Sequence, residues 1–172
     1  MHNKVVYAVC EKIVEKGAAW LKFNFRGVEG SGGRFDGGRG EQQDVEAAIS
    51  FGLRETEIDA RKIGLCGYSF GSMVALAVAA RDPRVKAVAG ISPLLEGPAF
   101  LSKSSIPKLF ISGTDDEFVD SKKLELRVMD LPEPKELVIY SGEDHFWGRY
   151  EDPMAERVAL FFKKSFEFKV SS

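Results

Sequence analysis

The sequence predicts an α/β protein with a mostly parallel sheet between two layers of helices, a three-layer α/β/α sandwich. Helix-like and strand-like segments alternate along the 172 residues. The strand-like segments are mostly continuous apolar runs, as expected for parallel strands buried on both faces. No repeat, linker or low-complexity segment interrupts the pattern, and the length suits one domain spanning residues 1–172.

Helix predictions rest on apolar periodicity and on start and stop signals. The first helix carries Val5, Val9 and Ile13 on one face and stops at Gly17. Ser121 is a candidate cap for a later helix, and Pro153 suits the first turn of the last one. The predicted helices span 3–16, 41–53, 71–81, 121–131 and 152–168.

Strand predictions come from short apolar runs between turn signals. They span 18–25, 62–68, 84–92, 108–113 and 135–142. The glycine-rich stretch 26–40 lacks both the P-loop and the dinucleotide-binding pattern, so we expect it to turn the chain, with Arg26 and Asp36 in local ion pairs.

Composition excludes several classes of function. The 24 basic and 26 acidic residues give a net charge of −2, which does not favour nucleic acid or an anionic membrane as a partner. Cys10 and Cys66 have no metal-binding or redox spacing, so we expect buried thiols, no metal and no cofactor. The N-terminus lacks signal-peptide features and no apolar run is long enough to span a bilayer, so the expected location is cytoplasmic.

The stretch IGLCGYSFGSM, residues 63–73, carries the strongest chemical signal. A strand, then G-x-S-x-G, then a helix is the context of a nucleophile elbow, with Ser69 as the candidate nucleophile. Gly67 and Gly71 are expected to remove clashes with the adjacent strand and helix. The backbone N–H of Phe70 would then be one oxyanion donor. The alternative is a plain strand-to-helix turn with a capping serine.

A nucleophilic serine needs a base and a carboxylate that orients it. Of the two histidines, His2 lies at the terminus, whereas His145 follows the last predicted strand and so lies at the same sheet edge as the elbow. The candidate carboxylates follow the strand at 108–113 at that edge, and the residues alone do not choose among them. They are Asp115, Asp116, Glu117 and Asp120.

Taken together, these motifs resemble the α/β-hydrolase superfamily, and within it the small esterase/lipase-like hydrolases related to dienelactone hydrolase and prolyl-oligopeptidase domains. The matching stretches are FNFRGVEGSGGRFDGGRGEQQD, GYSFGS, ISGTDDEFV and SGEDHFW, and the likeness covers essentially all of 1–168. The resemblance implies Ser69 as nucleophile, His145 as base and Asp116, three residues after the glycine of ISGTDDEFV, as the orienting carboxylate.

The resemblance also implies that this chain departs from the family pattern at its N-terminus, so the expected fold is an N-terminally truncated α/β-hydrolase fold. Relatives carry strands before the first helix, and one of them lies mid-sheet, between the strands matching 19–25 and 62–68. Either those two strands pair directly here, or another segment or subunit fills the gap. The loop that supplies the second oxyanion N–H is also absent, so residues 1–3 or the 24–28 loop would have to replace it. An unfilled sheet edge favours association, so we expect a homodimer.

The predicted function is that of a carboxylesterase-type serine hydrolase acting on small-molecule esters with short acyl chains. Leu94, Phe100, Phe146 and Trp147 are candidates to line the acyl pocket, and the loop 92–107 is too short for a large lid. The alternative is a non-catalytic binding or scaffold protein, or an inactive relic of a hydrolase with an incomplete oxyanion hole.

Overall fold

A computed structural model describes residues 3–94 and 101–167. Its sheet has four parallel strands in the order β1-β2-β3-β4. They are β1 (Ile63–Tyr68), β2 (Val85–Ile91), β3 (Lys108–Gly113) and β4 (Lys135–Tyr140). The helices are α1 (Lys4–Glu15), α2 (Arg39–Gly52), α3 (Phe70–Ala79), α4 (Ser121–Met129) and α5 (Glu151–Glu167).

The helices form one layer on each face of the sheet, which confirms the predicted three-layer α/β/α class. On one face, α1 and α5 pack against the sheet through a buried cluster that includes Val5, Met154 and Leu109. On the other face, α2, α3 and α4 enclose a second cluster that includes Leu76 and Phe110. Burial on both faces explains why β2 and β3 are nearly continuous apolar runs.

The strand predicted over residues 18–25 is wrong. This segment joins no sheet, and Trp20 and Leu21 are 44% and 52% exposed, although Phe23 and Phe25 pack against the core. An apolar run becomes a strand only when a neighbour pairs with its backbone. In the described part of the chain β1 pairs with β2 alone, so the direct pairing of 19–25 with 62–68, one of the two predicted alternatives, does not occur.

The open outer edge of β1 also corrects the prediction for Cys66. We expected its side chain to be buried within the strand, but it is exposed, because β1 is an edge strand here. Cys10, by contrast, is buried as predicted.

The glycine-rich stretch contains one of the two ion-pairing residues predicted for it. Arg26 forms an ion pair with Asp44 of α2, at 2.8 Å. The Asp36 carboxylate instead accepts a hydrogen bond from the backbone N–H of Gly40 at 3.0 Å. Glu41 lies fully buried at the start of α2 and accepts backbone N–H bonds from within the loop.

The cap predicted for α4 is displaced by one residue. Asp120, not Ser121, precedes the helix with extended backbone angles, and its carboxylate accepts the N–H groups of Lys122 and Lys123 at 3.1 Å. A carboxylate also suits the positive end of the helix dipole, which favours it over a serine hydroxyl at this position.

Candidate active site

Ser69 is the single residue between the end of β1 and the start of α3. Its backbone has φ +53° and ψ −122°, a left-handed conformation that costs energy for any residue with a side chain. The surroundings hold it there: its N–H donates to the carbonyl of Ile91 at 2.9 Å, and its own carbonyl accepts the Ser72 hydroxyl at 2.6 Å. The sharp turn presents the Ser69 hydroxyl at the carboxyl edge of the sheet.

The two glycines of the elbow have different roles, contrary to the prediction. A Cβ at Gly67 would lie 2.2 Å from the carbonyl oxygen of Gly71, so β1 and α3 approach closely only because residue 67 has no side chain. A Cβ at Gly71 would meet nothing within 4 Å. The prediction that Gly71 also removes a clash is therefore wrong, because the close approach occurs on the strand side of the turn.

Three side chains from three parts of the chain form a hydrogen-bonded row at this edge. Nε2 of His145 lies 2.9 Å from the Ser69 hydroxyl, and Nδ1 lies 2.9 and 3.0 Å from the two carboxylate oxygens of Asp116. An ionised carboxylate only accepts, so Nδ1 carries the proton and Nε2 accepts from Ser69. The side chains of His145 and Asp116 are buried, which keeps water from competing for these bonds.

Of the four candidate carboxylates, only Asp116 reaches His145. Oδ1 of Asp116 also accepts hydrogen bonds from the backbone N–H groups of Phe118 and Val119, both at 3.0 Å. These bonds fix the carboxylate before any substrate arrives. Asp115 is exposed and accepts a hydrogen bond from the adjacent threonine hydroxyl. The remaining two candidates face solvent or cap α4, as described above.

A buried carboxylate that the sequence analysis missed shapes the loop carrying His145. Glu143 is 1% exposed, and its oxygens accept the backbone N–H groups of Asp144, Arg149 and Tyr150 at 2.7–3.4 Å. The loop therefore closes around one side chain. The only sequence signal for this role is a glutamate two residues before the candidate histidine. A loop exposed to solvent can carry a glutamate at the same position, so the sequence does not predict that Glu143 is buried.

Aromatic rings surround the imidazole, and one of them, Phe146, is among the residues predicted to line the acyl pocket. Ring centroids of Phe118, Tyr68 and Phe146 lie 4.7, 5.4 and 5.7 Å from that of His145. Trp147 is fully buried and donates its indole N–H to Ser92 at 3.1 Å, so the prediction that it lines an acyl pocket is wrong. Phe118 follows three of the four candidate carboxylates in the sequence, and this position was the signal that could have predicted its ring beside His145.

A cavity of about 220 Å³ opens beside this cluster, between α4 and the loop that follows β2. Phe118 forms the wall that the cavity shares with His145. Leu94, one of the predicted pocket residues, also lines it, whereas Phe100 lies outside the described residues. The remaining lining residues are Pro93, Val119, Asp120, Lys123, Leu124 and Arg127.

The candidate oxyanion donor, the backbone N–H of Phe70, lies at the start of α3. Phe70 is the first residue of that helix, so its N–H has no acceptor within the helix. The rings of Phe25 and Phe35 lie 5.8 and 5.3 Å from that of Phe70, which brings the segment after residue 23 alongside the elbow. His2, and with it most of the predicted 1–3 alternative, falls outside the described residues.

Two kinds of feature are absent from residues 3–94 and 101–167. No group of three or more His, Cys, Asp or Glu side chains there has an arrangement that could hold a metal ion. No helix in those ranges is both long enough and apolar enough to cross a bilayer.

Comparison with known proteins places this geometry in context. The model of the dienelactone hydrolase family matches residues 38–168. An uncharacterised protein from Rickettsia prowazekii is 33% identical over 161 residues, covering 88% of this chain and 67% of that protein. A probable 2-oxo-3-(5-oxofuran-2-ylidene)propanoate lactonase from Bradyrhizobium is 29% identical over 117 residues, covering 60% of this chain and 47% of the lactonase.

Solved structures agree with the fold. An α/β serine hydrolase homologue from Coxiella burnetii has a TM-score of 0.83 and 31% identity, over 93% of this chain and 76% of that one. A lidless α/β serine hydrolase from Xanthomonas campestris has a TM-score of 0.84 and 31% identity, over 95% and 74%. The chain therefore has an α/β-hydrolase fold that is shorter than these two solved chains.

Proposed function

The chain belongs to the dienelactone hydrolase family, and from that premise we propose that it is a carboxylesterase-type serine hydrolase in which Ser69 is the nucleophile, His145 the general base and Asp116 the orienting carboxylate. The observation that carries the proposal is the continuous hydrogen-bonded row from the Ser69 hydroxyl through both nitrogens of His145 to Asp116. Family membership alone supports a hydrolase; the row supports these residues and roles.

In the acylation half of the reaction, the Ser69 oxygen attacks the ester carbonyl carbon while its proton passes to Nε2 of His145. The N–H of Phe70 donates to the oxygen that becomes negative. The tetrahedral intermediate then loses the alcohol, which leaves with the proton from Nε2. Asp116 holds the imidazole in the tautomer that can accept the proton and stabilises the imidazolium that forms.

Water completes the cycle on the acyl-enzyme. The oxygen of the water attacks the acyl carbon, and His145 takes its proton. The bond from carbon to the Ser69 oxygen then breaks, and the proton on Nε2 returns to the serine. A second oxyanion donor would come from the 24–28 loop, which lies beside the elbow, or from residues 1–3. Losing one such donor typically costs a factor of ~10²–10³ in kcat.

We propose carboxylic esters with short acyl chains as the substrates. The cavity of about 220 Å³ beside Phe118 is lined by the apolar side chains of Leu94 and Leu124 but also by Asp120, Lys123 and Arg127. Its small size, and not an apolar lining, therefore supports a short acyl group. The probable lactonase relative leaves a cyclic ester as a further test substrate.

The proposal extends to partners and location. A small-molecule ester is the proposed ligand, with no nucleic acid or membrane partner, on the ground of the net charge of −2. A cytoplasmic location is proposed from the sequence features alone. The homodimer is taken up in the Discussion.

Hydrolysis of p-nitrophenyl acetate and butyrate by the wild type and Ser69→Ala tests the function. We expect turnover by the wild type and only the background rate with Ser69→Ala. Ser50→Ala, at the far end of α2, is the matched control and should keep full activity, because the Ser50 hydroxyl bonds to the Glu46 carbonyl and the Arg84 guanidinium and not to any candidate site residue. Background rates in all three proteins would favour the alternative, a binding protein or relic that keeps the hydrolase core.

A further inference from the structure

Tyr68 joins the elbow to the loop that carries His145. It is the last residue of β1 and immediately precedes Ser69. Its hydroxyl donates a hydrogen bond to the main-chain carbonyl of His145 at 2.9 Å, and its ring lies 5.4 Å from the imidazole. One side chain from the nucleophile's own strand thus holds the backbone of the proposed base.

Strand pairing does not provide this connection. β2 and β3 lie between β1 and β4, so the elbow and the His145 loop follow strands three spacings apart, about 14 Å across the sheet. Two hydrogen bonds among the described residues link them directly: one from the Ser69 hydroxyl to Nε2 of His145, and one from Tyr68 to the His145 carbonyl.

Acylation removes the first of these two links. Once the Ser69 oxygen is part of an ester it has no proton to donate, so it no longer anchors Nε2. The bond from Tyr68 to the His145 carbonyl involves no reacting atom and persists. We propose that Tyr68 is a positioning residue for deacylation, keeping His145 in place to activate water while Ser69 is acylated. This inference rests on the proposed function.

The step it would serve is the attack of water on the acyl-enzyme. A bond forms between the water oxygen and the acyl carbon as one water proton moves to Nε2 of His145. The bond from that carbon to the Ser69 oxygen then breaks, and the proton on Nε2 moves to the serine oxygen. Nε2 must face the attacking water throughout, so displacement of the loop's backbone slows this half-reaction.

The Tyr68 hydroxyl keeps its proton under ordinary assay conditions. Burial, together with the negative charges of Asp116 and Asp144, raises the pKa of Tyr68 to about 12. The group therefore remains a hydrogen-bond donor at neutral and mildly alkaline pH, where esterase activity is measured.

Stopped-flow hydrolysis of p-nitrophenyl acetate by the wild type and Tyr68→Phe tests the inference, because release of p-nitrophenol separates acylation from deacylation. We expect the variant to keep the burst amplitude and kcat/KM, which report acylation. Its kcat should fall roughly 10-fold to 100-fold, the range for displacement of a catalytic group by about 1 Å, with KM falling in proportion.

Tyr140→Phe is the matched control. Tyr140 is also partly buried near the His145 loop, where its ring lies 5.5 Å from that of Trp147, but within the described ranges its hydroxyl makes no hydrogen bond. The control should leave kcat unchanged. The burst amplitude counts folded, reactive sites in each sample, so loss of folding in a variant is not read as slow deacylation.

Two results would overturn the inference while leaving the proposed function intact. One is a parallel fall in kcat and kcat/KM, which would place Tyr68 in acylation or in general support of the fold. The other is an unchanged kcat in Tyr68→Phe. A wild type with no Ser69-dependent turnover would instead overturn the proposed function itself, so the two failures are distinguishable.

Discussion

At the scale of single residues, Asp116 determines which nitrogen of His145 carries the proton. The backbone N–H groups of Phe118 and Val119 already occupy Oδ1 of this carboxylate, which leaves an acceptor face toward Nδ1. His145 can accept the Ser69 proton only if Nδ1 is the protonated nitrogen. The proposed base thus depends on a group that never touches the substrate.

Asp116→Asn tests that dependence with almost no change in shape. The amide oxygen would keep the two backbone bonds, so the amide NH₂ would face Nδ1 and force the proton onto Nε2, where it blocks transfer from Ser69. We expect kcat to fall by roughly 10²–10⁴. Steady-state kinetics with p-nitrophenyl butyrate measure the loss. Asp115→Asn, at an exposed position, should leave kcat unchanged, and an equal loss in both would contradict the assignment.

The sequence located the candidate serine and histidine, but spacing alone left four carboxylates open. Backbone geometry chooses among them: residues 114–119 turn so that only Asp116 points inward to His145. Phe118 and Glu143 escaped prediction because an aromatic or an acid in a polar loop has the same local pattern whether it faces solvent or the site. Such orientation is a tertiary property.

At the scale of elements, the junction of β1 and α3 depends on Gly67. Gly67→Ala would place a Cβ 2.2 Å from the Gly71 carbonyl oxygen, a contact with backbone that no side-chain movement can relieve. We expect the melting temperature to fall and the Ser69-dependent rate to be lost. Gly71→Ala is the control, since its Cβ meets nothing within 4 Å, and it should fold and melt as the wild type does. Equal effects in both variants would contradict this account of the elbow.

The start of α2 gives the fold a dependence on acid. Glu41 is fully buried; burial alone would raise its pKa, but hydrogen bonds from the backbone N–H groups of Asp36 and Gly38, together with the charge of Arg26, outweigh burial and lower it. A lowered pKa in the folded state means that the ionised form stabilises the fold above about pH 4, the pKa range of an unfolded glutamate, and that this stabilisation is lost as pH falls further.

Urea unfolding of the wild type and Glu41→Gln between pH 7 and pH 3 measures this contribution. At pH 7 the variant should lose about 1–3 kcal/mol of unfolding free energy, the cost of disturbing a buried charged acceptor. The difference should narrow as pH drops below about 4, because the unfolded glutamate then takes up a proton, and should disappear once the folded carboxylate, whose pKa is lower, is protonated as well. Glu57→Gln, at an exposed position, should track the wild type throughout. A difference that does not change with pH would exclude the charge as its cause.

The alternation of helices and strands was predictable because each element carries its own periodicity and turn signals, and five helices and four strands formed where they were expected. The structure of the segment 18–25 was not predictable in this way, because its apolar residues follow a strand pattern although no described strand pairs with it. Pairing is decided by the rest of the sheet, and in the described chain the outer edge of β1 has no neighbour.

At the scale of the whole molecule, that open edge is the basis for the proposed homodimer. Unpaired N–H and C=O groups along β1 favour pairing with a second copy. Light scattering after size exclusion should give twice the 19.0 kDa chain mass. Cys66→Lys, which puts a charge on the exposed edge, should shift the protein to monomer, whereas Phe51→Lys on the surface of α2 should not. A monomeric wild type would contradict the proposal.

The most direct test of the central claim, that Ser69 is an activated nucleophile, is intact-mass and peptide analysis after treatment with a fluorophosphonate. Only a serine whose proton can pass to a neighbouring base reacts readily with this reagent, since an ordinary hydroxyl is a weak nucleophile. We predict one phosphonyl adduct on Ser69 in the wild type and none in Ser69→Ala. No adduct on the wild type, or an adduct elsewhere that persists in Ser69→Ala, would contradict the account.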